Sequence, residues 1–373
     1  MKFTALPVNV GDSFLLLSNN KYVLVDGGMN KSHIITLLNK EKIKNKHIHY
    51  LICTHYDADH INGLLGILQS GKYSFSELWL PEIFGSLTYT ISCKIEPILK
   101  YWREHQYDLD KSIYDHSELV DEEYREDNIS EYIDKEYKSD FKTNRYEDIN
   151  LRVLNEFIKY SNQNLLYWPN YIPKFHIHPS SLNMKLNSSL IKICSFISSS
   201  IASGSHIRWF KYQDWNTKHK CPNSFIAENS IQTDITLYSP KIFLKMLYLT
   251  AINKESLVFR YNDPDNTNVL FTADSDLHFF KSPINLKKYS IVTAPHHGAD
   301  TNNAAYAKIS GKELIYIRSD RHQEDRPGEG YLMQAKRYCT VCKTNGPKQK
   351  ISINYTYGTP PKIVGKSCIC DTL

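Results

Sequence analysis

Four side chains of metal-binding type fall within His55-Tyr56-Asp57-Ala58-Asp59-His60, directly after the apolar run Tyr50–Thr54. That run, rich in Leu, Ile and Thr, reads as a buried strand. At the C-terminal end of such a strand the chain turns, and alternate side chains can converge on one point. His55 and Asp57 would share one direction, and Asp59 and His60 would face a second ion beside the first. Imidazole nitrogen mixed with carboxylate oxygen suits Zn2+, Mn2+ or Fe2+. A charged loop that merely caps the next helix would use the same residue types, with Asp59 as the cap. The density of the run, and Gly63 behind it, favour metal binding.

Alternating strands and helices must position this run. Phe3–Val10, Ser13–Leu17 and Tyr22–Val25 are strand-like, with Gly11-Asp12 as a turn and Asp26-Gly27-Gly28 closing the third. Ser32–Lys40 reads as a helix. Gly63–Gln69 begins another, with Leu64, Leu65 and Leu68 at helical spacing. Leu78–Leu80 is a strand stopped by Pro81. Strand character returns at Asp234–Tyr238, Leu257–Tyr261, Val269–Thr272, Ser290–Ala294, Glu313–Ile317 and Ile351–Tyr355. The expected organisation is an α/β domain whose first half is 1–84 and whose second half is 231–357. A large, mostly helical insertion fills 85–230, and a cysteine-containing tail covers 358–373.

Composition narrows the class. The 373 residues are 41% hydrophobic, enough for a substantial core, and no apolar run reaches the length of a membrane span. The N-terminus lacks a signal-peptide hydrophobic region. Eight cysteines are too few for a disulfide scaffold, so a reduced, cytoplasmic protein is expected. Between Lys111 and Asn150, 13 acidic and 6 basic residues leave −7, so the remainder must carry +12 to reach the total of +5.

The run His55–His60 resembles the H-x-[HD]-x-D-H signature of the metallo-β-lactamase fold. Asp26-Gly27-Gly28 is similar to that family's early Asp-Gly turn. Phe271-Thr272-Ala273-Asp274 is similar to its strand-end Gly-Asp, with Ala273 in place of glycine, and Pro295-His296-His297-Gly298 to its final histidine. Asp57, where most members have histidine, and the segment Asn253–Val258 resemble the soluble hydrolase domain of ComEC-type DNA-uptake proteins. The resemblance spans roughly residues 3–82 and 231–357.

It implies a four-layer αββα sandwich with two divalent metal ions, Zn2+ or Mn2+, at one edge between the sheets. His55 and Asp57 would hold the first ion, and Asp59 and His60 the second. Asp274 would bridge both. Either His296 or His297 would complete the second site, the other orienting it or donating a proton. Asn253 stands where most of the superfamily has a histidine, an amide oxygen that would turn the first site towards Mn2+ or Mg2+. Asp59, Asp274 and His297 are the expected catalytic residues. The implied reaction is hydrolysis by a metal-activated hydroxide, most readily of a phosphodiester in a nucleic acid or nucleotide. Hydrolysis of a small lactone, lactam or thioester is the alternative. So is a non-catalytic component of a multi-protein, defence-type assembly, with the insertion as its protein-binding surface.

Three further features stand apart. Arg318 and Arg326, around the loop after Glu313–Ile317, could hold a non-scissile phosphate, or be ordinary loop cations balanced by Glu324, Asp325 and Glu329. Arg208-Trp209-Phe210-Lys211-Tyr212 mixes bases with aromatics, as a stacking surface or, more commonly, a core segment. Cys339-Thr340-Val341-Cys342 and Cys368-Ile369-Cys370 could build a structural zinc site, or remain ordinary thiols.

Overall fold

The computed structural model describes residues 1–94, 97–98, 100–101, 179–251, 255–263, 267–321, 326–342, 348–356 and 359–370, the side chains of 179–188 and 248–251 excepted. The greater part of the expected insertion, and Asn253, lie outside the described residues.

Two twisted sheets face each other. The first has nine strands. Its centre is β1 (Lys2–Ala5), β2 (Phe14–Ser18), β3 (Lys21–Val25), β4 (His47–Ile52) and β5 (Ser74–Pro81). β3, β4 and β5 run parallel. The second has seven strands. Among them are β10 (Phe259–Asn262), β11 (Asn268–Phe271), β13 (Ile291–Thr293) and β15 (Ile315–Arg318), the last three parallel. β17 (Ile351–Asn354) returns to the first sheet and pairs antiparallel with β1.

Alternation along each strand sorts the side chains into layers. Phe14, Leu16, Val23, Val25, Tyr50 and Ile52 meet Val269, Phe271, Ile315 and Ile317 between the sheets. Leu15, Leu24 and Leu51 point the other way. They pack beneath α1 (Lys31–Lys40), α2 (Ala58–Ser70), the helix over residues 82–94, and the C-terminal part of Pro179–Ala202. Leu270, Val292 and Tyr316 face outward from the second sheet. Their cover is 3-10 turns at 300–308 and the one-turn helix Glu329–Leu332, where the four-layer expectation has full α-helices.

Two segments differ from the sequence reading. Residues 206–230, assigned there to the insertion, form with 231–233 β6 (His206–Tyr212), β7 (His219–Lys220), β8 (Phe225–Ala227) and β9 (Ser230–Thr233), strands of the two sheets. Trp209 turns to the helical layer and Phe210 to the inter-sheet core, both buried, so the aromatic-basic stretch is core rather than a stacking surface. Asp234–Tyr238, expected as a strand, is irregular. Hydroxyls of the helix over 82–94 take its backbone donors, Thr236 N–H bonding Ser86 Oγ at 2.7 Å and Tyr238 N–H bonding Thr90 Oγ1 at 2.9 Å. No helix among the described residues is long and apolar enough to cross a membrane.

Candidate metal centre

The candidate residues stand at the C-terminal ends of parallel strands from both sheets. Asp26 follows β3, the run His55–His60 follows β4, Asp274 follows β11, and His296-His297 follow β13. Left-handed backbone turns three of these chain segments sharply: φ is 55° at Asp26, 47° at Ala273, and 47° and 54° at His296 and His297. Such values cost a non-glycine residue energy and cluster where geometry must be held. Ala273 therefore occupies a position that would suit glycine.

Asp26 anchors the histidines. Buried to 1% exposure, it accepts from Thr54 N–H at 2.9 Å through Oδ1, from the Thr54 hydroxyl at 2.7 Å through Oδ2, and from His60 Nδ1 at 2.9 Å. Thr54 Oγ1 lies 2.9 Å from His55 Nδ1. Because that hydroxyl already donates to Asp26, it accepts from His55. The network thus assigns the proton of both imidazoles to Nδ1 and leaves both Nε2 atoms with a lone pair.

Those lone pairs converge on Asp274. Its carboxylate lies 3.5 Å from His55 Nε2, 3.2 Å from His60 Nε2, 3.6 Å from His296 Nε2 and 3.3 Å from His297 Nε2. His297 Nε2 is also 3.3 Å from Asp59 Oδ2. His297 is buried and His296 is 34% exposed. Asp57 occupies the N-cap position of α2, but its side chain makes no capping bond. Two donor groups result, each with one ligand atom per residue within 4.8 Å of the others: His55, Asp57 and Asp274, and Asp12, His60, Asp274 and His297. Asp274 belongs to both.

This set fits divalent cations. His55 Nε2 and Asp274 Oδ1 are buried without a hydrogen-bond partner, and buried polar atoms rarely stay unsatisfied. His60 Nε2 and His297 Nε2 stand 3.2 Å apart. Two lone pairs at that distance need a proton or a cation between them. Without a cation a proton serves: burial opposes the charged form, yet Asp274 and Asp26 hold His60 well above the usual imidazole range, and Asp274 and Asp12 do the same to His297. Burial likewise opposes ionisation of Asp274 and Asp59. The histidines outweigh it, and both carboxyls lie well below their usual range.

Sequence reasoning left out two residues of this geometry. Asp12, only 2% exposed, sits 3.2 Å from His297 Nδ1. Asp26 was read as a turn rather than as the anchor of His55 and His60. An acid inside a strongly apolar N-terminal stretch was the available signal for Asp12. Arg318 requires a correction. It is fully buried, its Nε donating to His297 O at 2.6 Å and its Nη2 to Arg321 O, so it does not face a substrate. Arg326 is partly buried and donates to Asp320 Oδ2 at 3.0 Å. Cys339, Cys342, Cys368 and Cys370 are brought together at a separate place, all four buried.

A family model described as the metallo-beta-lactamase superfamily matches residues 6–74. The matched stretch holds Asp12, Asp26 and His55–His60, and ends before Asp274 and the His296-His297 turn. A search of curated proteins finds no match. Together with the mixed α/β fold, the family match supports a metallo-β-lactamase-type architecture and the class of metal-dependent hydrolases.

Proposed function

We propose that the chain is a two-metal phosphodiesterase, acting on a nucleic acid or nucleotide. The observation that carries this reading is the sharing of Asp274 between two adjacent donor groups. Bound divalent ions would supply a Lewis acid, acidify a water molecule and neutralise charge on both the attacking and leaving oxygens of an in-line displacement. The first group, one imidazole with two carboxylates, is rich in hard oxygen donors and suits Mn2+ at least as well as Zn2+.

The chain's own residues do the positioning. Asp26 fixes the tautomers of His55 and His60 through the bonds described above, so neither ring must turn when a cation arrives. Asp12, 3.2 Å from His297 Nδ1, would hold that ring from behind or join the second donor group. His296, the most open of the four histidines, would donate a proton to a leaving alcohol from Nε2. Arg326 remains the candidate for holding a flanking phosphate.

The test is a substrate panel with Mn2+ or Zn2+: single-stranded and duplex DNA, RNA, cyclic and linear dinucleotides, a lactone and a lactam. A phosphodiester should be cleaved, and Asp274→Ala should lose both bound metal and at least about 100-fold in rate, as for loss of a preorganised charge-stabilising group. Cleavage of the lactone or lactam alone would move the reading to small-molecule hydrolysis. No turnover with full metal loading would favour a binding role.

A further inference from the structure

Four cysteines from two distant chain segments meet under the outer face of the second sheet. Cys339 ends β16 (Arg337–Cys339), Cys342 follows it, and Cys368 and Cys370 come from the tail. All are buried, and their sulfurs lie within 4.8 Å of one another. Cys339 Sγ is 3.1 Å from Cys368 Sγ, and Cys342 Sγ is 3.6 Å from Cys370 Sγ. Four thiolates around a tetrahedral zinc stand about 3.8 Å apart, given Zn–S bonds of about 2.3 Å. A disulfide needs about 2.05 Å and brings together only two sulfurs.

The surroundings suit negative charge on sulfur. Ile369 N–H points to Cys342 Sγ at 3.2 Å, and Cys370 N–H to Cys368 Sγ at 3.4 Å. The Tyr331 hydroxyl, 3.4 Å from Cys339 Sγ, donates its proton to Tyr338 O at 2.8 Å and does not stabilise the sulfur's charge. The buried guanidinium of Arg318 has Nη1 at 3.9 Å from the same sulfur. A zinc tetrathiolate carries two negative charges, and the buried guanidinium, which also faces Asp320 at 4.0 Å, would offset part of them.

Arg318 also reaches the candidate metal centre. Its Nε holds the carbonyl of His297, whose backbone is left-handed, and its Nη2 is 4.0 Å from Asp320. Asp320 Oδ1 in turn accepts from Gly11 N–H at 3.1 Å, next to Asp12. One side chain thus connects the sulfur cluster to both the histidine turn and the Asp12 loop.

We propose that Cys339, Cys342, Cys368 and Cys370 bind a structural Zn2+ as a tetrathiolate, and that Arg318 is a positioning residue tying this centre to the turn of His296 and His297. Loading converts four thiols to thiolates and releases four protons to solvent. No step of the hydrolase reading is needed for this.

The experiment uses the full chain in the Asp274→Ala background, which disables the His/Asp centre and leaves the sulfur cluster whole. Mass spectrometry of metal content should find one zinc per chain, lost in Cys342→Ser/Cys370→Ser. Alkylation of denatured, unreduced protein with chelator should modify all eight cysteines. Zinc retained in the double variant, no zinc at all, or four cysteines held as disulfides would overturn the site. Amide exchange of the peptide around 293–299 reads the link. Stripping the zinc, or Arg318→Lys with circular dichroism unchanged, should speed exchange there by about tenfold, since both loosen the hold on His297 O. Exchange unchanged in both overturns the link and leaves the zinc result standing. Failure of the hydrolase reading would appear elsewhere, as absence of turnover in the wild type.

Discussion

At the scale of residues, Asp26 decides more than its sequence context suggests. It accepts three hydrogen bonds while buried, and through them sets which nitrogen of His55 and His60 is free. Asp26→Asn keeps the shape but places an amide N–H2 among donors. To relieve that clash the His60 ring must move its proton to Nε2, the atom needed for a cation. Metal affinity at the centre should fall about 10- to 100-fold, the usual cost of losing such an orienting partner. Titration calorimetry with Mn2+ checks this, and equal affinity in variant and wild type would remove Asp26 from the role. The ligand run His55–His60 was legible because its members are neighbours along the chain. Asp274 and the His296-His297 pair were legible only through the family resemblance. Asp12 was not, since nothing local links it to His297 on the far side of the fold. Arg318 was misread because sequence shows its charge but not its burial.

At the scale of elements, the approach of α2 to the turn after β3 is the tight joint. Gly63 N–H bonds Gly28 O at 2.8 Å, and Gly27 N–H bonds His60 O at 2.8 Å. A Cβ on Gly63 would lie 1.9 Å from Gly27 O, a backbone atom that cannot swing aside. Gly63→Ala should therefore cost at least about 1–3 kcal/mol by overpacking and displace His60 from Asp26. Denaturant unfolding and metal content should both register it, and a variant of wild-type stability would contradict the packing. A second element-scale prediction concerns Glu255. Burial, then the charge of Glu82 at the start of the helix over 82–94, pushes its carboxyl up from 4.5 to about 7. The folded chain then binds more protons than the unfolded chain between those values, so stability falls as pH rises through that window. The penalty is absent below 4.5 and complete above about 7. Glu255→Gln removes it. The difference in Tm between variant and wild type should grow from pH 4.5 to 7, and a pH-independent difference would refute the shift. Most strands were legible from apolar runs. β6 to β9 were missed because β6 interleaves Arg208 and Lys211 with its apolar residues, and β7 to β9 are only two to four residues long. Asp234–Tyr238 was overcalled because hydroxyls of a distant helix, invisible to periodicity, take its backbone donors.

At the scale of the whole molecule, the centre exists only where the two sheets meet. Asp12, Asp26 and His55–His60 belong to the first, Asp274 and His296-His297 to the second, and the inter-sheet core of Phe14, Val25, Ile52, Phe271 and Ile317 holds them in register. β17 strengthens that dependence. It brings Ile351 and Ile353, both fully buried, back beside β1 and joins the chain's last part to its first. A cation bound across this seam has no comparable site in the unfolded chain. Its binding free energy therefore adds to the stability of the sandwich. At about 100 times its Kd, one ion contributes about 2.7 kcal/mol, which should raise Tm by on the order of 5 °C. The rise should follow the logarithm of free Mn2+ concentration and vanish in Asp274→Asn, which removes the carboxylate both donor groups share. Any zinc in the sulfur cluster is common to both proteins and cancels from the comparison. Calorimetric scans of wild type and variant across a Mn2+ series make the measurement. A rise that persists undiminished in Asp274→Asn would place the stabilising ion elsewhere and detach Asp274 from the seam between the sheets.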